Sequence, residues 1–179
     1  MTPERLLALL QAWGIEFVHH AHPPVFTVAE SAALKAAIPG AHTKNLFLKD
    51  KAGVLYLVSA AADAVIDLRA LGRALQAKGR FSFAAPEVLW ERLGVRPGAV
   101  TALALVNDAQ QQVRFVLDAA LLQAARVHFH PLHNEATIGL APAGLLHFLE
   151  RLGRAPALVA LSTDCAPRLI GAARIDAAR

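Results

Sequence analysis

The strongest indication of the fold lies in residues 43–59, which read TKNLFLKDKAGVLYLVS. Two apolar runs, at 43–48 and 54–59, flank a polar stretch that ends in Gly53. Glycine adopts the positive φ angles that tight turns require, and apolar runs joined by such a turn are typical of β-hairpins. The stretch therefore predicts two antiparallel strands joined by a polar turn.

Helices and further strands alternate on both sides of this hairpin. Pro3 and the leucines after it predict a first helix that ends at Gly14, and Thr27 followed by Glu30 fits a capping box that opens a second helix through Lys35. The patterns also predict helices that begin at Asp67, at Pro86 and at Pro142, strands over 16–20, 81–83, 126–130, 136–140 and 157–161, and a second hairpin that pairs 101–106 with 113–117. Hairpins interleaved with helices predict a mixed α/β (α+β) fold, with a largely antiparallel, barrel-like sheet surrounded by helices.

The length and composition predict a single domain. The chain has 179 residues, of which 55% are hydrophobic, and it contains no repeat, low-complexity stretch or long linker. We expect one domain over residues 1–161 and a C-terminal tail over 162–179, which has no firm periodicity and is expected to be poorly ordered.

Composition also restricts location and partners. Every apolar run is shorter than the roughly 18–20 residues of a membrane-spanning helix, and the N-terminus lacks the pattern of a signal peptide, so we expect a cytoplasmic protein with no membrane partner. The single Cys165 excludes an intrachain disulfide and a cysteine zinc site. A net charge of +4 is compatible with one nucleic-acid partner and is modest for a protein that coats DNA.

Three segments place polar residues among apolar ones. In the first, Lys44 and Asn45 begin a buried strand, where a lysine keeps its charge only near water or an anion; the alternative is a solvated strand end. In an ideal strand these two side chains point to opposite faces, so a shared site requires an irregular strand or the backbone of Asn45.

The second segment is the loop LGVRPGAVT at 93–101, where Pro97 and Gly98 either let a ligand approach the backbone or simply connect two elements. The third is VHFHPLHNEAT at 127–137, whose three histidines leave a zinc site as an alternative, although no HExxH spacing is present.

The densest basic patch comprises Arg69, Arg73, Lys78 and Arg80. Such a patch is either a solvated helix face or a contact to RNA phosphates. The sequence has no GxSxG or GxxxxGK[ST] motif, and Cys165 lies in the weakly patterned tail, so nothing supports covalent serine or cysteine catalysis.

In their order along the chain, these segments resemble the YbaK/ProX family, the free-standing relatives of the editing domain of bacterial prolyl-tRNA synthetases. The resemblance rests on TKNLFLKD at 43–50, YLV at 56–58, FSFA at 81–84, LGVRPG at 93–98, VND at 106–108 and FHPLHN at 129–134, and it runs from about Thr2 to Leu161. The LGVRPG and FHPL runs are more similar to the ProX branch, which deacylates Ala-tRNA(Pro), than to the Cys-tRNA(Pro) branch.

The resemblance implies a function and a set of site residues. It implies hydrolysis of the ester between a mischarged amino acid and tRNA(Pro), with no metal and no organic cofactor, and with the tRNA acceptor end and prolyl-tRNA synthetase as partners. By motif position, Lys44 corresponds to the family's essential lysine and Asn45 to its polar neighbour, Pro97 and Gly98 to the substrate-side loop, and His130 and Thr137 to the segment that lines the pocket. The chain departs from the family at Glu135 and at 101–104, so Cys-tRNA(Pro) or another small mischarged aminoacyl-tRNA remains an alternative substrate. A non-catalytic nucleic-acid-binding module is the alternative from another class.

Overall fold

The computed structural model describes residues 1–24, 34, 36–161 and 167–172. Its helices are α1 (Pro3–Ala12), α2 (Leu68–Ala74), α3 (Pro86–Leu93) and α4 (Pro142–Arg151), with two 3-10 helices at Ala102–Asn107 and Ala119–Gln123. Its strands are β1 (Phe17–Ala21), β2 (Ala41–Lys49), β3 (Leu55–Ala61), β4 (Ser82–Phe83), β5 (Val113–Asp118), β6 (Val127–Phe129), β7 (Ala136–Leu140), β8 (Ala157–Ala160) and β9 (Arg168–Ala172).

The strands of this described part form one mixed sheet. Their order is β1-β7-β6-β2-β3-β5-β8-β9, and β4 pairs with β2 beside this path. The hairpin predicted at 43–59 is confirmed, because β2 and β3 pair antiparallel from Thr43↔Ala61 to Lys49↔Leu55. The pairings of β2 with β6, β3 with β5 and β5 with β8 are parallel, and the sheet is not closed over the described residues. The mixed α/β class is confirmed, with an open sheet where the sequence suggested a barrel.

Both faces of the sheet carry apolar clusters. On what we call the first face, α1, α3 and α4 pack against Phe47, Leu57 and Phe115. On the second face, Leu71 of α2 packs against Leu48, Tyr56 and other buried side chains. Because successive side chains of a strand point to opposite faces, β2 divides its residues between the two clusters.

The second predicted hairpin is wrong. Residues 102–107 form a 3-10 helix, which begins where the Thr101 hydroxyl accepts a hydrogen bond from the Leu103 amide at 3.3 Å. The Asp108 carboxylate then accepts hydrogen bonds from the amides of Gln112 and Val113, and the chain enters β5 beside β3. The residues at 101–104 that depart from the family pattern are buried in the main core.

Two further expectations concern the ends of the described ranges. The helix predicted over 27–35 falls almost wholly outside the described residues. In the predicted tail, Arg168–Ala172 form β9 and pair with β8, so this stretch has regular structure. The domain boundary at residue 161 stays a prediction. In the described part of the chain, no helix has both the length and the apolar character that crossing a bilayer requires.

Candidate functional site

The sheet opens along one edge of β2. On this edge β6 pairs with Ala41 and His42, and β4 pairs with Leu48 and Lys49. Between these two partners, no described strand pairs with Asn45 on this side. The Ala41 amide donates to Arg126 O on this edge, and Phe47 O accepts from Ala84. Backbone groups of alternate residues point to the same edge, so the amide and carbonyl of Asn45 point into the opening.

Lys44 projects from the second face of the sheet. Its neighbours on that side of β2, Leu46 and Leu48, pack in the second-face cluster. Lys44 is half-buried, and the hydrogen bond of its ammonium group within the described part of the chain is to the carbonyl oxygen of Ala64. An ammonium has three N–H donors, and the described structure therefore leaves two of them available.

The side chain of Asn45 lies on the opposite, first face. Its Oδ1 accepts a hydrogen bond from the Ser59 hydroxyl, and its Nδ2 donates to Thr43 Oγ1 at 3.3 Å. Thr43 Oγ1 in turn donates to His128 O at 2.8 Å. This chain of bonds ties β3, β2 and β6 together. The strand is regular here, so the Lys44 and Asn45 side chains do not face one site, and Asn45 reaches the opening through its backbone.

A pocket of about 420 Å³ lies beside the Lys44 end of β2. It is lined by Gly40, Ala41, His42, Ala61, Ala62 and Asp63. The loop that contributes 61–63 continues directly into Ala64, the partner of Lys44. The volume is within the range of small-molecule sites, and the wall consists mainly of small side chains with one imidazole and one carboxylate.

Two histidines on the second face bind the backbone just before β2 begins. The rings of His42 and His128 stack with centroids 4.8 Å apart. His42 Nε2 donates to Ile38 O at 2.8 Å, and His128 Nε2 donates to Pro39 O at 3.1 Å. The next residue, Gly40, has a φ of +133°, and a Cβ there would lie 2.5 Å from His128 Nε2. Only glycine leaves room for the His128 ring to lie this close to the backbone. The contact therefore fixes the position of Gly40, which forms part of the pocket wall.

His130 is the first residue after β6, at the margin of the opening. Its Nδ1 lies 3.1 Å from Ala136 O, and because a carbonyl only accepts, Nδ1 carries the hydrogen. The Nε2 of the neutral ring is then an acceptor. Thr137 is buried, and its hydroxyl lies 2.9 Å from His22 Nε2, while the other nitrogen of His22 donates to Pro23 O.

Burial lowers the pKa of both His128 and His130 below the ordinary value of 6.5, although carbonyl hydrogen bonds from Pro39 and Ala136 partly oppose this. In the unfolded chain these rings bind protons that the folded chain excludes, so stability rises with pH. We expect the full free energy of unfolding above about pH 6.5 and a loss as the pH falls below it, by at most about 1.4 kcal/mol per pH unit for each ring. Denaturant unfolding between pH 5 and 8 measures this.

A substitution isolates the contribution of His128 to this pH dependence. His128→Gln should weaken the fall in the free energy of unfolding below about pH 6.5, because glutamine binds no proton in the unfolded chain. The matched control, His19→Gln, makes the same exchange at an exposed position of β1 and shows what the exchange does away from the buried ring. An unchanged slope in His128→Gln would contradict the assignment.

The glycine loop lies against the histidine segment. Gly98 has a φ of +89°, and a Cβ built on it would lie 3.9 Å from Asn134 Nδ2. Pro97 and Gly98 are exposed, and Arg96 places its guanidinium 5.2 Å from the ring centroid of Trp90. The structure thus brings the second and third predicted segments together. Glu135 is exposed next to them.

The four predicted tRNA-binding residues are all exposed. Arg69 and Arg73 lie one helical turn apart on α2, and Lys78 and Arg80 follow that helix. In the part of the chain that the structure describes, the ion pairs are formed by Arg92, His147 and Arg154, and by none of these four.

The three histidines at 128, 130 and 133 are not joined as metal ligands: no group of three or more His, Cys, Asp or Glu side chains in the described residues is arranged to hold a metal ion.

Sequence reasoning missed Ser59, His42 and the wall at 61–64. Ser59 could have been found, because the turn of the predicted hairpin sets it opposite Asn45. His42 gave no signal, since its stacking on His128 depends on a parallel pairing between segments far apart in the sequence. The loop at 61–64 consists of alanines and one aspartate, with no recognisable motif.

Comparisons with known proteins identify the family of this chain. The family described as "Aminoacyl-tRNA editing domain" matches residues 22–148. The "Prolyl-tRNA synthetase associated domain-containing protein 1" of Xenopus laevis is 41% identical over 160 residues, which cover 87% of this chain and 95% of that protein. The "Prolyl-tRNA editing protein ProX" of Acetoanaerobium sticklandii is 32% identical over 139 residues, covering 77% of this chain and 84% of that protein.

A solved structure shares the fold. A protein described as a candidate trans-editing enzyme for prolyl tRNA synthetase superposes with a TM-score of 0.66 over 89% of this chain and 96% of its own. The two sequences are 23% identical, so this likeness concerns the fold alone.

Proposed function

Because the chain belongs to the aminoacyl-tRNA editing domain family and has ProX among its relatives, we propose that it is a hydrolase that removes mischarged alanine from Ala-tRNA(Pro). Its partners in this proposal are the acceptor end of tRNA(Pro) and prolyl-tRNA synthetase, a partner suggested by the names of the relatives. We expect it to act in the cytoplasm, where tRNA is charged.

The observation that carries the proposal is the environment of Lys44, a half-buried cation with no carboxylate partner in the described residues. The described partner of its ammonium is the neutral carbonyl of Ala64, the residue that follows the pocket wall at 61–63. A cation withdrawn from water without a counter-ion has a strong preference for an anion. In ester hydrolysis, negative charge develops on the carbonyl oxygen, and the terminal nucleotide carries a phosphate. Either group would satisfy the two remaining N–H donors of Lys44.

The reaction itself needs few groups. Water adds to the ester carbonyl, the bond between the acyl carbon and the ribose oxygen breaks, and a proton passes to that oxygen. An aminoacyl ester is already activated, so positioning and electrostatic stabilisation can supply the catalysis. We assign the charge stabilisation to Lys44.

Two further groups border the opening in the sheet. The backbone amide of Asn45 points into it and can donate to the developing oxyanion, while the Asn45 side chain acts as a positioning group through Ser59. The neutral ring of His130 presents Nε2 as an acceptor that can orient the attacking water. We propose that Pro97 and Gly98 bind the substrate through the exposed backbone of their loop.

Selection of alanine is steric in this proposal. The pocket wall of Gly40, Ala41, Ala61 and Ala62 encloses a small acyl group, and Asp63 supplies a carboxylate for its α-ammonium group. We assign Thr137 an indirect role, because its hydroxyl holds His22, whose ring centroid lies 6.5 Å from that of His130. A synthetase distinguishes small side chains by only about 1–3 kcal/mol, so hydrolysis at a second site is needed to remove errors.

The test is a deacylation panel with the purified protein. Ala-tRNA(Pro) should lose its amino acid fastest, Cys-tRNA(Pro) more slowly, and Pro-tRNA(Pro) should remain charged, because an editing enzyme must spare the correctly charged tRNA. We expect at least a tenfold difference in kcat/KM between the alanine and proline substrates, which corresponds to about 1.4 kcal/mol.

Other outcomes of the panel have definite meanings. Preference for the cysteine substrate would keep the hydrolase and change its specificity. Binding of tRNA with no hydrolysis of any substrate would overturn the proposal and favour the non-catalytic binding module.

A further inference from the structure

A cavity of about 610 Å³ lies on the second face of the sheet, at the end where β1 and β6 begin. We call it the edge pocket, because β1 is at one end of the described strand order; its lining includes Glu16, Val18, Arg126 and Gly139. Gly139 of β7 pairs with Val18 of β1 on one side and with His128 of β6 on the other. Paired residues of neighbouring strands share a face, so the pocket lies on the face that carries the His128 ring.

Gly139 makes room in this pocket for the side chain of Arg126. A Cβ built on Gly139 would lie 2.5 Å from Arg126 Cδ and 2.9 Å from Arg126 Cγ, closer than nonbonded atoms pack. The aliphatic stem of Arg126 therefore lies across the backbone of β7, and its direction is from β6 toward β1. Arg126 is half-buried, and it forms no ion pair with any residue in the described ranges.

Glu16 lies across the edge pocket from Arg126. Phe17 of β1 and Val127 of β6 both pair with Leu140 of β7. The residues just before them, Glu16 and Arg126, are therefore at the same level of the sheet and two strands apart, about 10 Å at about 4.8 Å per strand. Side chains of this length could span that distance, yet these two form no ion pair with each other. The pocket thus contains one cation and one anion that stay apart.

The two charges restrict the chemical class of a ligand. Arginine binds carboxylate or phosphate through paired N–H donors, but a glutamate in the same pocket repels a phosphate, which has negative charge only. A free α-amino acid has a carboxylate and an ammonium on one carbon, so it matches both charges. Ile15, Phe17 and Val18 also line the pocket and provide apolar surface for an aliphatic side chain. The volume is within the range of small-molecule sites.

We infer that the edge pocket binds a free α-amino acid with an aliphatic side chain, whose carboxylate contacts Arg126 and whose ammonium contacts Glu16. This site shares no lining residue with the pocket at 40–42 and 61–63. It is therefore separate from the site of the proposed hydrolysis, and the inference does not depend on that reaction.

The first part of the test is an amide NMR titration of the full chain at pH 7 with three probes. These are L-leucine, N-acetyl-L-leucine, which lacks the ammonium, and L-leucinamide, which lacks the carboxylate. L-leucine should bind and shift the amide signal of Gly139. Each analogue should bind at least about tenfold more weakly, because it loses the charge-assisted hydrogen bonds at one of its ends.

The second part uses variants that remove one charge each. Arg126→Met retains an unbranched stem over Gly139; it should weaken binding of L-leucine at least about tenfold and should not weaken binding of L-leucinamide further. Glu16→Gln should likewise weaken binding of L-leucine and should not weaken binding of N-acetyl-L-leucine further. The matched controls Arg5→Met and Glu91→Gln change exposed charges on α1 and α3 and should bind L-leucine like the wild type. Unchanged melting temperatures confirm that the variants are folded.

Asp63→Asn distinguishes the edge pocket from the proposed hydrolytic site. Asp63 lines the other pocket, so its substitution should leave the affinity for L-leucine unchanged. Loss of binding in Asp63→Asn, wild-type affinity in Arg126→Met or Glu16→Gln, equal affinity for the three probes, or no binding of L-leucine by the wild type would overturn the inference. Because neither tRNA nor hydrolysis enters the experiment, the proposed function can fail while this inference holds, and the reverse.

Discussion

Lys44→Met should reduce kcat/KM for deacylation of Ala-tRNA(Pro) by about 10²–10³-fold, the usual effect of removing one group that stabilises a developing oxyanion. Methionine retains the unbranched chain and apolar stem of the lysine and removes only the charge and the N–H donors. Lys44 lies on the same face of β2 as Leu46, which packs in the second-face cluster, so an apolar side chain suits this position and the fold should remain intact. Steady-state kinetics on charged tRNA measure the effect, and circular dichroism checks the fold.

The controls for Lys44→Met use its neighbours on β2. Asn45→Ala removes the bond to Ser59 but retains the backbone amide that points into the opening, so it should reduce kcat/KM less than Lys44→Met does. Lys44→Arg retains the charge on a longer, planar group and should recover only part of the activity. Wild-type activity in Lys44→Met would exclude Lys44 from catalysis, and a greater loss in Asn45→Ala would transfer the main role to the Asn45 side chain.

Arg154→Met should reduce the free energy of unfolding by about 3–5 kcal/mol, because it leaves a buried carboxylate without its partner. Arg154 and Asp108 are 8% and 5% exposed, and Arg154 Nη2 lies 2.7 Å from Asp108 Oδ2. The same guanidinium donates to the carbonyl oxygens of Val113 and Asp108. It therefore joins the end of α4 to the start of β5. Urea unfolding measures the loss.

Two comparisons show whether burial is the cause. Glu91→Gln removes the acid of the exposed ion pair with Arg92 and should change stability by less than about 1 kcal/mol. In the double variant with Asp108→Asn, Arg154→Met should destabilise less than it does alone, because no carboxylate charge is left unpaired. Additive effects of the two substitutions, or a loss in Arg154→Met no larger than in Glu91→Gln, would contradict the role of the buried pair.

Much of the fold was predictable because its signals are local. The hairpin at β2 and β3 follows from two apolar runs around a polar turn, and the helices at Pro86 and Pro142 begin as their prolines indicate. The second hairpin failed because the run at 101–106 is apolar enough for a strand. The capping bond of Thr101 and burial on all sides favour a 3-10 helix instead. Short buried runs do not distinguish helix from strand by their pattern.

The sequence singled out candidate site residues, which stay predictions, and did not give their arrangement. Lys44, His130 and Gly98 were singled out as polar or flexible positions within apolar segments. The positions of these residues relative to one another depend on the short pairing between β2 and β6, which begins at Ala41↔Val127. No local sequence pattern encodes this pairing. The separation of the Lys44 and Asn45 side chains, in contrast, follows from strand alternation, which the sequence predicted and the structure confirms.

The sequence by itself determined the mixed α/β class, the central hairpin, the family resemblance, and the position of a lysine at the start of a buried strand. These depend on side-chain period and turn chemistry, which act over a few residues. Only the tertiary structure decided that the sheet opens beside Asn45 and that the wall of a small pocket ends next to Ala64, the partner of Lys44. Those features need residues far apart in the sequence to meet, as Thr43 and His128 do across 85 positions, and such contacts depend on packing of the whole chain.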